Sequence, residues 1–166
     1  MSDTESAIRA MAATVAFLKA EGDLLQLNAN ERSITHKLAE YLQREFSDWN
    51  VDCEYNRLGA AIKRLPAPEA IGSDDEDGRT IFPDIIVHRR NKRENLLVIE
   101  VKKSSNTRGG DEEKLIGLTR DSGDYGYTLG LHLIFDCESC RLSGLTAYGN
   151  GAVDEPLSGS LRSDYL

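Results

Sequence analysis

Ile81-Phe82-Pro83-Asp84-Ile85-Ile86-Val87-His88-Arg89 and Leu96-Leu97-Val98-Ile99-Glu100-Val101-Lys102 are two apolar, β-branched runs separated by Arg90-Asn91-Lys92-Arg93-Glu94-Asn95. β-Branched residues favour strands, and a polar connection of hairpin length folds the second run back on the first. The pattern predicts antiparallel strands over 81–89 and 96–102. Side chains alternate along a strand, so Leu96, Val98, Glu100 and Lys102 share one face. A glutamate set among Val98, Ile99 and Val101 costs free energy unless it is paired or metal-bound. Two readings are open: an internal Glu100–Lys102 salt bridge, or part of a chemical site.

Asp84 bears on that choice. It stands near the start of the first strand and therefore beside the end of its partner. Pairing Val87 or His88 with Leu97 or Val98 sets Asp84 opposite roughly Val101, next to Glu100 and Lys102. Two carboxylates brought together repel unless they share a proton or a cation. A hard divalent cation answers this, and Mg²⁺ typically takes one or two carboxylates together with waters and substrate phosphate. A neighbouring lysine can orient a water or stabilise charge developing on phosphate.

The flanking sequence supplies helices. Ala7, Ile8, Met11, Val15 and Leu18 predict a helix over 5–20. Gly22-Asp23 ends it, and Asn28-Ala29-Asn30 is a capping region for a second helix over 31–47. There Ile34, Leu38, Tyr41, Leu42 and Phe46 form one apolar face. Glu31 opens that helix from the edge of the buried face, where it also suits the positive end of the helix dipole. Residues 49–56 alternate as a half-buried strand, which residues 57–65 extend after a bend. Pro66 to Gly78 reads as a solvated loop. Its four consecutive acids, Asp74 to Asp77, lack the alternating ligands and distal Glu of a calcium loop. Asp111 to Arg120 reads as a helix with Leu115 and Leu118 inward, Tyr127 to Asp136 as a strand, 142–148 as a short strand, and 149–166 as a loosely packed tail. The order, helix, helix, three strands, helix, strand, predicts one α/β or α+β domain with a mixed central sheet.

Pro83-Asp84, a fifteen-residue spacer and Glu100-Val101-Lys102 resemble the PD-(D/E)XK pattern of the restriction-endonuclease-like nucleases. Glu31 matches the helical glutamate that often joins the metal site in that family. The resemblance covers about 31–135 and implies an αβββαβ core, with an extra helix before it. It implies that Asp84 and Glu100 bind Mg²⁺, with Mn²⁺ as a substitute. Glu31 would support the metal or its water, Lys102 would position the nucleophile, and water would attack a DNA phosphodiester in line. The helix after Lys102 offers Lys114 and Thr119 where many members carry Gln, so no role transfers there. A nuclease-like domain that only binds nucleic acid or protein is the alternative.

The formal net charge is −8, which argues at first against a nucleic-acid partner. Four of those charges are Asp74 to Asp77, however. Residues 88–103 carry a local +4, with Arg89, Arg90, Lys92, Arg93 and Lys103 as candidate phosphate contacts. A solvated hairpin turn is the other reading of Arg89 to Arg93. Cutting both strands of a duplex takes two sites or two events, so a homodimer is an expected partner besides DNA, with the N-terminal helix as one available interface. No run approaches a membrane span. The acidic start Met1-Ser2-Asp3-Thr4-Glu5 is unlike a secretory signal, and three cysteines do not build a disulfide framework, so the expected compartment is the cytoplasm. Cys137-Glu138-Ser139-Cys140, with His132 upstream, is half of a zinc or redox motif; the other reading is a pair of ordinary thiols.

Overall fold

Three helices come first because the chain before residue 47 carries apolar residues at helical spacing. α1 (Asp3–Ala20) is capped by the Ser2 hydroxyl, which accepts from Glu5 N at 3.2 Å, and buries Ala7, Ala10, Met11, Thr14 and Phe17. α2 (Gly22–Gln26) is a short turn of helix. α3 (Glu31–Glu45) begins where the Asn30 side chain accepts from Ser33 N at 2.8 Å, and it buries Ile34, Leu38, Tyr41 and Leu42. The computed structural model describes residues 1–55 and 81–166 in full. Between them it describes only the backbone of β2 (Arg57–Leu58), β3 (Ala61–Ile62), β4 (Arg64–Leu65) and β5 (Arg79–Thr80). β2 pairs with β3 and β4 with β5, rather than prolonging the strand before them. The acidic run Asp74 to Asp77 lies outside the described residues.

The centre is a six-stranded mixed sheet in the order β1-β6-β7-β8-β9-β10. Its strands are β1 (Asn50–Cys53), β6 (Ile85–Arg89), β7 (Glu94–Lys103), β8 (Leu129–Asp136), β9 (Arg141–Gly149) and β10 (Ala152–Val153). Only β7 and β8 are parallel, and α4 (Asp111–Thr119) makes the crossover between them. The architecture is α+β. No helix among the described residues is long and apolar enough to cross a membrane.

The sheet separates two apolar clusters. On one face Ile85, Val87, Leu97, Ile99, Val101, Leu131, Leu133 and Phe135 meet α1 and α3. Phe17 stands edge-on to Tyr41 and Phe135, with ring centroids 6.2 and 5.8 Å apart, and so joins α1, α3 and β8. On the other face Ile86 and Val98 meet Leu115 and Leu118 of α4, with Tyr127 and Tyr148. α4 approaches closely because Gly130 on β8 has no side chain. A Cβ there would stand 2.9 Å from Thr119 Cγ2 and 3.2 Å from Leu115 Cδ2. Gly130→Ala is therefore expected to lower unfolding free energy by about 1–3 kcal/mol in a urea titration, the usual cost of overpacking. An unchanged midpoint would mean that α4 is not seated by this contact.

Three expectations change. β6 begins at Ile85, not 81, since Pro83 has no N–H to give a ladder. Leu96 does not share the face of Val98 and Glu100. Val87 pairs with Leu97 but His88 with Asn95, so Leu96 is the extra residue of a β-bulge and joins Leu97 against α1 and α3. Finally, 149–166 is no loose tail: α5 (Glu155–Tyr165) packs on β9. The Asp154 side chain accepts from Leu157 N at 3.0 Å, Ala147 N donates to Ser158 Oγ at 2.8 Å, and Leu161 is buried.

Candidate functional site

The hairpin register decides which charges meet. Ile85 pairs with Ile99, so the next pair along sets Asp84 beside Glu100 on the face covered by α4. Asp84 is held by its Oδ2, which accepts from Val101 N at 2.8 Å. Its carboxyl is pushed above the usual range by burial, against the pull of the Val101 N–H and of Lys114; the Asp111 and Glu31 carboxylates add to the rise. Glu100 is 1% exposed. Its Oε2 accepts from Lys114 Nζ at 2.6 Å, while Oε1 is buried with no hydrogen-bond partner. Burial, and then the neighbouring Asp84, lift the Glu100 carboxyl to about 8 despite Lys114.

α4 brings two residues into this cluster that sequence reasoning left without a role. Gly110, at φ 111, lets the chain turn into the helix in a conformation other residues rarely adopt. Asp111 and Lys114 then lie one turn apart, on neighbouring positions of the helix surface. Lys114 Nζ also reaches the Phe82 carbonyl at 3.4 Å. Burial pulls the Lys114 ammonium down, but Glu100, Asp84 and Asp111 lift it above its ordinary value. The available signal for Asp111 was the acidic first turn of the helix, which reads equally well as dipole compensation.

Lys102 shares the face of Glu100 but does not pair with it. Its Nζ donates to Asp111 Oδ2 at 3.0 Å and to the Arg108 carbonyl. The Glu100–Lys102 salt bridge is thus replaced by two crossed pairs, Glu100–Lys114 and Asp111–Lys102. His132, opposite Glu100 in the parallel register, sits 3.6 Å from Asp111 Oδ2, and burial lowers its affinity for a proton.

Glu31 is drawn to the same end of the sheet. Its Oε1 accepts from Lys103 N at 3.0 Å and from Asn106 Nδ2 at 2.8 Å, which pins the end of β7 to the head of α3. Lys103 in turn spends its ammonium on Asn28 Oδ1 at 2.7 Å and the Ala29 carbonyl at 3.1 Å.

The hairpin cations lie elsewhere. Arg89 ends β6, five residues past Asp84, which at roughly 3.3 Å per residue is about 17 Å away. Arg89 pairs with Glu94 at 3.0 Å and lies over the Trp49 ring; Arg90 pairs with Asp52, and Lys92 with Glu94 at 3.8 Å. Arg93 is exposed. The basic turn is therefore at the opposite end of the strands from the carboxylates.

Cys137 and Cys140 are free thiols in the β8–β9 turn, and the Cys140 Sγ faces the Gly22 carbonyl at 3.5 Å. Among the described residues no group of three or more His, Cys, Asp or Glu side chains is arranged to hold a metal ion. What the α4 face offers is a pair, Asp84 and Glu100. One oxygen of that pair is buried without a partner, and the two charges repel, which a divalent cation between them would relieve. No protein-family model matches the chain and no curated protein matches it, so the reading of this site rests on its own geometry and on the sequence pattern.

Proposed function

We propose that the chain is a Mg²⁺-dependent phosphodiesterase that cuts DNA, built on a restriction-endonuclease-like core. The observation that carries this is the cross-strand adjacency of Asp84 and Glu100 on a buried face, with Lys102 one alternation further along. With β2 to β5 set apart in their own two-stranded ladders, the order α3, β1, β6, β7, α4, β8 supports it, since that is the helix, three strands, helix, strand order of such a core.

Asp84 and Glu100 would hold the cation, with water and phosphate oxygens completing its shell. Bound there, Mg²⁺ or Mn²⁺ supplies a Lewis acid and makes a bound water a better nucleophile. Val101 N–H fixes the Asp84 carboxylate in place. Glu31 ties β7 to α3 and adds negative charge that Asp84 feels. Lys102 is the ammonium that would position the attacking water and stabilise charge on the phosphoryl oxygens. The water oxygen would bond to phosphorus as the ester P–O bond opposite breaks; the proton the water gives up passes to solvent, and the departing oxygen takes one from solvent. A metal-supplemented cleavage assay on single-stranded, duplex and branched DNA tests the reading. No cleavage of any of them sinks it.

The state of Glu100 sets the pH dependence. A carboxyl with its midpoint near 8 carries a proton at pH 7 that a cation must displace. Mn²⁺ affinity is therefore expected to rise about tenfold per pH unit below ~8 and to level off above it. About one proton is released per ion bound at pH 7. Calorimetry in buffers of different ionisation enthalpy reads both quantities, and an affinity flat between pH 6.5 and 8.5 contradicts the assignment.

The Glu100–Lys114 pair favours one further reading. A carboxyl group already bonded to an internal ammonium suits a nuclease-like module that binds nucleic acid or protein without cutting. Absence of Mn²⁺ binding by calorimetry selects it.

A further inference from the structure

Both oxygens of Glu100 are closed to a hydrated ion. Oε1 is buried with no partner, and Oε2 is bonded to Lys114 Nζ at 2.6 Å. The same ammonium reaches the Phe82 carbonyl at 3.4 Å, two residues before Asp84, and interacts electrostatically with the Asp84 carboxylate. Lys114 therefore stands where a cation between Asp84 and Glu100 would have to enter.

Lys102 is not a substitute for it, being clasped by Asp111 and the Arg108 carbonyl. Nor does the whole helix have to move. α4 is seated on Gly130 of β8, while the Lys114 side chain, 22% exposed, rides on a flexible four-carbon stem. The side chain can swing out while its helix stays.

We propose that Lys114 is a tethered cation that occupies the Asp84–Glu100 pair in the metal-free protein and is displaced when a divalent cation binds there; the proposal rests on the reading of that pair as a metal site. Lys114 is then a positioning residue. It neutralises the carboxylates until a dication outcompetes it, and so sets the metal concentration at which the site loads.

The sign of its removal follows from charge. An ammonium beside the pair repels a dication about twice as strongly as it repels a proton competing for the same carboxylates. Removing it favours the metal even though protons also bind better.

The test is Mn²⁺ calorimetry on the full chain at pH 8.5, comparing wild type with Lys114→Gln, Lys114→Met and Lys114→Arg. The neutral variants are expected to bind Mn²⁺ about tenfold more tightly, and Lys114→Arg no more tightly than wild type. A second readout needs no variant. Acylation of the Lys114 amine in wild type, followed by mass spectrometry, should increase when Ca²⁺ saturates the site. Equal or weaker Mn²⁺ binding by the neutral variants overturns the proposal. So does Lys114 labelling that Ca²⁺ leaves unchanged, and that result stands even if the neutral variants fail to fold. Loss of Mn²⁺ binding in Asp84→Asn with no change in Lys114→Gln overturns the role of Lys114 alone. No Mn²⁺ uptake by wild type or any variant overturns the metal reading with it.

Discussion

Asp84→Asn is expected to lower the rate of metal-dependent DNA cleavage by roughly 100- to 1,000-fold while leaving the fold intact. Asparagine keeps the shape of the side chain and an oxygen able to accept from Val101 N, which now donates to Asp84 Oδ2 at 2.8 Å. What it removes is the charge. In the proposed metal site, half of the carboxylate pair would become a weak neutral ligand, and a dication would lose its electrostatic partner beside Glu100. Stability should not fall, because the repulsion that Glu100 feels from Asp84 disappears with the charge. The same change should lower the Glu100 midpoint, which distinguishes a local electrostatic effect from general disruption. Cleavage kinetics at saturating Mn²⁺ and a thermal melt of the same preparation check this. Cleavage within tenfold of wild type removes Asp84 from the chemistry. Lys102→Ala belongs in the same series, and wild-type rates in both variants would leave the catalytic assignment without support.

Phe17→Ala carries the largest expected cost to stability, about 3–5 kcal/mol. The Phe17 side chain is fully buried, and its ring is wedged between Tyr41 of α3 and Phe135 of β8. Truncation removes the apolar contact and leaves a ring-sized void among three elements that are each anchored elsewhere, so collapse is limited. Two edge-to-face ring contacts are lost as well. Urea unfolding measures the loss, and a value below about 1.5 kcal/mol would mean that α1 closes over the void. The void lies across the sheet from Asp84 and Glu100. Folded Phe17→Ala, assayed well below its melting temperature, should therefore cut DNA at close to the wild-type rate. The two substitutions separate the supporting face of the sheet from the one proposed to carry the chemistry.

The hairpin was legible because two forces coincide there. A run of β-branched residues demands a buried strand, and a carboxylate inside such a run demands a partner. Asp84 and Glu100 follow from that logic, and the register Ile85–Ile99 brings them side by side. The partner itself was not legible. Lys102 is two residues from Glu100 and on its face, yet the bond comes from Lys114, across a crossover whose seating depends on Gly130. Sequence distance along a strand carries no information about what a helix lays over it. The placement of the basic turn was hidden for a related reason. Arg89 to Arg93 are near Lys102 in the chain but a strand length away in space, and three of them answer local acids. α5 was hidden by Ser158, Gly159 and Ser160, which are poor helix formers in isolation. The capping Asp154, Pro156 in the first turn, and Leu157, Leu161 and Tyr165 four residues apart were its visible marks.

The bulge at Leu96 separates the length of the hairpin from its geometry. Of the fifteen residues between Asp84 and Glu100, Leu96 fills a place in the chain but none in the ladder. Deleting it would yield a regular strand in which Asn95, Leu97 and Glu100 still face the sides they face now. Deleting Val98 or Ile99 instead would reverse the parity of everything before the cut, and either the hairpin or Glu100 would have to present its wrong side. What must stay constant is therefore an odd or even count from a fixed ladder position, not a distance along the chain. A chain can lose Leu96 from this hairpin and still align the same two carboxylates.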